Sequence, residues 1–154
     1  MKKISRSVLL NYSAQQMYDL VNDIQAYPEF LPWCGGVQIL SRSEFDVSAS
    51  ILIAKMGIRQ AFSTHNHLEP GRRIEMRLID GPFSFLQGEW SFKPLHDQAC
   101  KVSFDIEFEV SNGFMNRALG ALFEQIASTL VDSFIQRAKQ CYAASDKMGG
   151  VYAG

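Results

Sequence analysis

The sequence predicts one α+β domain, a curved antiparallel sheet of seven strands wrapped around a long C-terminal helix. Three observations carry this. From residue 37 to residue 110 apolar and polar side chains alternate with a period of two, the mark of strands with one buried face. From 115 to about 143 an apolar stripe runs for about 29 residues without a proline, enough for ~43 Å of helix. Between them and the first strand only short helical segments fit. A sheet with one apolar face and one amphipathic helix can bury both by folding the sheet around the helix. Such a sheet seldom closes tightly at both ends, and the gap against the helix is where a cavity forms.

Residues 3–10 read as the first strand. Ser13-Ala14-Gln15-Gln16 then has the form of a capping box, with Tyr12 and Met17 placed for a hydrophobic staple. Met17, Leu20, Val21 and Ile24 put one apolar stripe on the short helix that follows. In Tyr27-Pro28-Glu29-Phe30-Leu31-Pro32-Trp33-Cys34-Gly35-Gly36, two prolines and two glycines argue against long regular structure, so a helical turn and an apolar loop are expected. Six strands follow, at 37–43, 47–56, 58–68, 73–79, 85–93 and 101–110. Their turns are Met56-Gly57, Glu69-Pro70-Gly71 and Asp80-Gly81-Pro82. The last strand is the cleanest, with Val102, Phe104, Ile106, Phe108 and Val110 alternating with polar residues. Asn112-Gly113 ends the sheet. The final helix carries Leu119, Leu122, Phe123, Ile126, Leu130, Val131, Phe134, Ile135 and Ala138 on its apolar side. One domain over 1–145 and a flexible tail over 146–154 complete the expectation.

Bulk composition excludes several classes. A chain of 154 residues suits one domain, and a net charge of −1 gives no global attraction to nucleic acid or anionic lipid. Apolar runs reach only about four residues, against the ~20 that a spanning helix needs. Cys34, Cys100 and Cys141 are odd in number and widely spaced, which fits free thiols in a reducing cytoplasm.

Three spaced motifs resemble a known family. They are Asn22-Asp23-Ile24 with the 27–34 segment, Asp80-Gly81-Pro82-Phe83 with Leu86, Gly88, Trp90 and Phe92, and Leu122-Phe123, Ala127, Val131, Phe134, Arg137-Ala138 and Tyr142. Together they are similar to the START-like coenzyme Q-binding proteins of the polyketide cyclase and lipid transport superfamily. Within it they most resemble the short bacterial branch, which includes a ribosome-association toxin. The resemblance spans about residues 3–143, with Ala143 departing from the glycine expected after the tyrosine. It implies the helix-grip (START-like) fold and two quite different activities. One is binding of ubiquinone or a related prenyl lipid, in support of respiration. The other is binding of the 50S ribosomal subunit, which blocks 70S formation and translation initiation. It implies no obligatory cofactor, a cytoplasmic bacterial location, and transient contact with the inner-membrane surface when lipid is collected.

Candidate site residues follow from these readings. Tyr27, Phe30, Leu31 and Trp33 form an aromatic stretch that serves either as a lid over an apolar ligand or as a plug for the end of the barrel. Phe62, Met76, Phe83, Leu86, Trp90 and Phe104 on the sheet, with Leu119, Phe123 and Ile126 on the helix, are candidates to line a cavity. The same spacings also suit plain core. Gly120 and Ala121 allow a ligand or a strand to approach the helix closely. His65 and His67 share one side of a strand, a feasible metal pair, although two surface histidines explain them as well. Cys34 lies in an apolar context that makes a thiol inert. No nucleophile, Walker or dinucleotide motif is present, so catalysis is not expected, with a cyclase- or aromatase-like activity as the enzymatic alternative. For rRNA contact the candidates are Arg59, Arg72, Arg73, Arg77 and Lys93, accompanied by enough glutamates to form an ordinary mixed-charge face.

Overall fold

A computed structural model describes residues 1–113 and 116–153, with side chains placed for 1–113 and 117–142. The strands are β1 (Lys2–Leu10), β2 (Cys34–Arg42), β3 (Asp46–Lys55), β4 (Ile58–Glu69), β5 (Arg73–Asp80), β6 (Phe83–His96) and β7 (Ala99–Val110). The helices are α1 (Ala14–Asn22), a 3-10 turn at Ile24–Ala26, α2 (Tyr27–Phe30) and α3 (Asn116–Ala153). The strands form one antiparallel sheet in the order β1-β7-β6-β5-β4-β3-β2. This is the helix-grip fold, with the long helix lying on the inner face of the sheet.

Local sequence explains most of these elements. Ser13 accepts from the Gln16 amide at 3.0 Å while Gln16 Oε1 accepts from the Ser13 amide at 2.9 Å, so the capping box closes as expected. Met17, Tyr18 and Val21 bury the inner stripe of α1. Phe92, Phe104, Phe108 and Phe134 are almost fully enclosed and form the centre of the core. Tyr142 donates to the Gln16 carbonyl at 3.0 Å and ties α3 back to α1.

Three expectations need correction. Gly35 and Gly36 lie inside β2 instead of in a loop, with a register shift between Cys34 and Gly36. The missing side chain is what admits Gly35 there, since a Cβ would stand 2.7 Å from Ala54 Cβ on the neighbouring strand. β6 continues past 93 through Pro94, which the ladder tolerates at a second register shift between Pro94 and His96. The backbone of α3 runs to Ala153 rather than ending near 143, with no proline to stop it. The expected tail over 146–154 is therefore helical in its backbone through Ala153, and its side chains lie outside the described residues, as does Met115.

The stretch Arg117–Tyr142 is long and apolar enough to cross a membrane, with a mean hydropathy of 1.2. In this fold Leu119, Leu122, Phe123, Ile126, Val131 and Phe134 of that stretch are buried in the domain core, so its apolar side is already covered.

Candidate functional site

Between α3 and the sheet lies a void of about 70 Å³. Its floor is built from Ile51 of β3, Phe62, Thr64 and Asn66 of β4, Met76 of β5, Leu86 and Trp90 of β6, and Phe104 and Ile106 of β7. Phe123, Ile126, Ala127 and Leu130 of α3 form the opposite wall. Ile24, Tyr27 and Trp33 close the end. These positions meet because alternate residues of each strand face inward and residues three or four apart share one side of α3.

The sequence candidates divide on this geometry. Tyr27, Trp33, Phe62, Met76, Leu86, Trp90, Phe104, Phe123 and Ile126 line the void, whereas Phe30, Leu31, Phe83 and Leu119 do not. Phe83 packs against the lining rings of Phe62 and Phe123 at centroid separations of 5.7 and 4.8 Å, Phe30 packs against that of Tyr27, and Leu31 and Leu119 are core residues, each 1% exposed. Gly120 does not line the void, and a Cβ there would meet Val110 at an ordinary contact distance of 3.5 Å, so no close approach seen here requires the glycine. Sequence reasoning passed over Ile24, Ile51, Thr64, Asn66, Ile106, Ala127 and Leu130. For Thr64 and Asn66 the signal was there, because alternation from Phe62 to Leu68 puts both inside.

The 24–33 segment forms an aromatic cover. Phe30 packs edge-on against Tyr27 and Phe134 at 6.1 and 5.4 Å. Arg137 lies 4.9 Å over the Phe30 ring and 3.5 Å from Glu29. The Tyr27 hydroxyl donates to the Val21 carbonyl, and its pKa is pushed well up by burial, reinforced by Asp23 and Cys34. The amide of Ala54 donates to the Trp33 carbonyl at 2.8 Å, which pins the end of the cover to β3. Burial also pushes the Cys34 thiol up, away from a reactive thiolate.

The outer face of the sheet is different. His65 Nε2 and His67 Nδ1 lie 3.0 and 3.2 Å from Asp46 Oδ1, and Ser48 Oγ is 3.1 Å from His65 Nδ1. The order Ser48–His65–Asp46 imitates a hydrolase relay. It sits on the outer sheet face, where the backbone amides around Ser48 are engaged in the ladder with β4 and not turned toward a bound oxyanion, and Ser48 lines none of the cavities described among these residues. Among the described residues no group of three His, Cys, Asp or Glu side chains is arranged to hold a metal ion.

The basic candidates for rRNA contact are spread over the sheet and interleaved with acidic groups, as the mixed-charge alternative has it. Arg73 is caged by Glu69, Glu75 and Glu89 at 2.6, 2.7 and 3.0 Å. Arg77 stands opposite His65 and Gln87. Arg59 is six residues from His65 along β4 and Lys93 is six residues from Gln87 in the opposite direction, so the two lie roughly 40 Å apart. Arg72 is exposed in the turn before β5. Registry along the strands, invisible in the sequence, disperses these charges. A wider, more open groove of about 1010 Å³ lies at the N-terminal end of α3, where Lys2, Glu109, Arg117 and Glu124 stand among Phe108, Val110, Gly120 and Ala121.

Comparison with known proteins sharpens the reading. The family described as polyketide cyclase / dehydrase and lipid transport matches residues 10–135. The ribosome association toxin RatA of Vibrio cholerae is 48% identical over 142 residues, covering 92% of this chain and 99% of that protein. The mitochondrial coenzyme Q-binding protein of Drosophila melanogaster is 27% identical over 140 residues, 88% of this chain and 58% of its own length. Among solved structures, the ZhuI aromatase/cyclase of a Streptomyces species superposes with a TM-score of 0.78 at 16% identity, covering 90% and 94% of the two chains. A START superfamily protein from Mycobacterium smegmatis gives 0.75 at 21%, covering 90% and 98%. At those identities the structural likeness speaks for the fold alone.

Proposed function

The chain belongs to the polyketide cyclase/dehydrase and lipid transport family, and from that premise we propose that it is a non-catalytic carrier of a long apolar molecule. The guest is ubiquinone or a related prenyl lipid, held between sheet and α3 in support of respiration. One observation carries this reading: hydrocarbon and aromatic walls from five strands' worth of fold and one helix converge on a single void beneath an aromatic cover. The similarity to a coenzyme Q-binding protein supports the choice of guest.

The void of about 70 Å³ is smaller than the guest. An apolar cavity of about 150 Å³ is what takes up one benzene. Binding therefore requires the 24–33 cover to swing outward, exposing the buried Trp33 and the half-buried Tyr27 and Phe30; ~1.5–3 kcal/mol is the worth of a fully buried side chain of this size, and the latter two contribute less. Contact with the guest, or with a membrane surface during loading, offsets that exposure. The test is mass spectrometry of lipids extracted from protein purified out of cells. A co-purifying prenylquinone is expected; protein free of lipid that also takes up no added quinone sinks the reading.

A second reading is favoured by the 48% identity to a ribosome association toxin over nearly the whole chain. On this reading the protein acts in the cytoplasm, binds the large ribosomal subunit through its outer surface and hinders subunit joining. Raised expression followed by sucrose-gradient sedimentation should deplete 70S particles and raise free subunits, with the protein in the 50S fraction. An unchanged profile with no protein in that fraction rules it out. The two readings use different faces and are compatible.

A further inference from the structure

Two polar side chains occupy positions where the alternation of β4 calls for apolar ones. Thr64 and Asn66 face inward between Phe62 and Leu68, are only 5% and 6% exposed, and both line the void. Their nearest cross-strand partners are no more polar: Asn66 stands opposite Val47 on one side and Met76 on the other. The Thr64 hydroxyl donates to Asn66 Oδ1 at 3.0 Å. That bond uses the hydroxyl proton and fixes the amide plane. It leaves the two N–H groups of Asn66 Nδ2 with no acceptor among the described residues. That nitrogen is not among the fully enclosed unpaired atoms, so it opens onto the void, where an acceptor on a guest can reach it.

We infer that Asn66, oriented by Thr64, is the specificity-determining donor of this cavity, selecting apolar ring ligands that carry a carbonyl oxygen over equally apolar ones that do not. The inference rests on the apolar-carrier reading and narrows it to a chemical class, the quinones. The physical basis is asymmetric. A guest with a carbonyl satisfies the waiting donor, whereas a pure hydrocarbon of the same size leaves it unpaired in a low-dielectric site, so selection comes from the penalty as much as from the bond. Thr64 acts only through Asn66 and is a positioning residue. Its hydroxyl is spent on Oδ1, which keeps the amide nitrogen, rather than the oxygen, available to the guest.

The experiment compares two probes on the full chain, decylubiquinone and n-decylbenzene, by competition against a fluorescent fatty-acid probe. Wild type should prefer the quinone about fivefold to tenfold, the scale of one net neutral hydrogen bond. Asn66→Leu should lose that preference, weakening decylubiquinone by the same factor while n-decylbenzene binds as well as before or better. Thr64→Val should move the quinone in the same direction by less. Equal loss for both probes, or no change for either, overturns the inference. Wild type binding both probes equally overturns the selection by Asn66 and leaves the carrier reading standing. Wild type binding neither overturns both. Should the substitutions unfold the protein, the infrared carbonyl stretch of carbon-13-labelled quinone bound to wild type gives the answer. A shift to lower frequency is expected on accepting the hydrogen bond, and an unshifted band refutes it.

Discussion

Replacing Phe123 by alanine probes the site and the core together. The ring is 5% exposed and forms part of the α3 wall of the void. It meets Phe83, Phe108 and Phe62 edge-on at 4.8, 4.7 and 5.8 Å. Truncating a buried phenylalanine to alanine costs about 3–5 kcal/mol. Each edge-to-face contact adds ~0.5–1.5 kcal/mol beyond area burial. With three such contacts, and a neighbouring void that gives the surroundings no reason to close in, the expected loss is ~4–5 kcal/mol. That is a large share of the ~5–15 kcal/mol holding a domain together, so the variant should fold but with a much lower urea midpoint. The enlarged cavity should then take up benzene, recovering ~2.7 kcal/mol when free benzene is a hundredfold above its dissociation constant. Urea denaturation followed by circular dichroism, with and without benzene, measures both quantities. A loss under ~2 kcal/mol, or a variant no more responsive to benzene than wild type, refutes the packing described for this wall.

Other outcomes follow from single residues. Gly88→Ala would set a methyl 2.8 Å from Met76 Cε, the flexible end of a void-lining side chain, and 3.3 Å from the Asp105 carbonyl oxygen; quinone affinity and the unfolding midpoint should both fall, as read by ligand titration beside a thermal melt. Asp46 is held below the usual carboxylate range, first by the hydrogen bond from His67 and then by that from His65. A depressed folded-state pKa means the contribution is present above the ordinary unfolded value and disappears as pH falls through the depressed one. Asp46→Asn should therefore flatten the acid limb of the stability profile, and a carbon-13 titration of the wild-type carboxyl should show a low midpoint. Cys34 and Cys100 are buried with thiols pushed up by that burial, while Cys141 is exposed. N-ethylmaleimide at neutral pH should label one thiol quickly in the native protein and all three after unfolding, checked by intact mass.

What the sequence by itself determined is what depends on near neighbours. The alternation from Val102 to Val110, the reciprocal Ser13–Gln16 cap and the unbroken stripe from Leu119 to Ala138 each fix an element through interactions within a few residues, and each element is there. Which residues face inward was legible for the same reason, including Thr64 and Asn66. The tertiary structure alone decided what depends on register and on residual volume. β1 pairs with β7 across about a hundred residues, Gly35 enters β2 because Ala54 stands opposite, and Arg73 is neutralised by glutamates from three separate positions. A void is the small difference between the space the backbone encloses and the side-chain volume that fills it. Because interiors are otherwise densely packed, no pattern of apolar letters could say that Phe62 and Phe123 border the gap while Phe83, packed against both, does not.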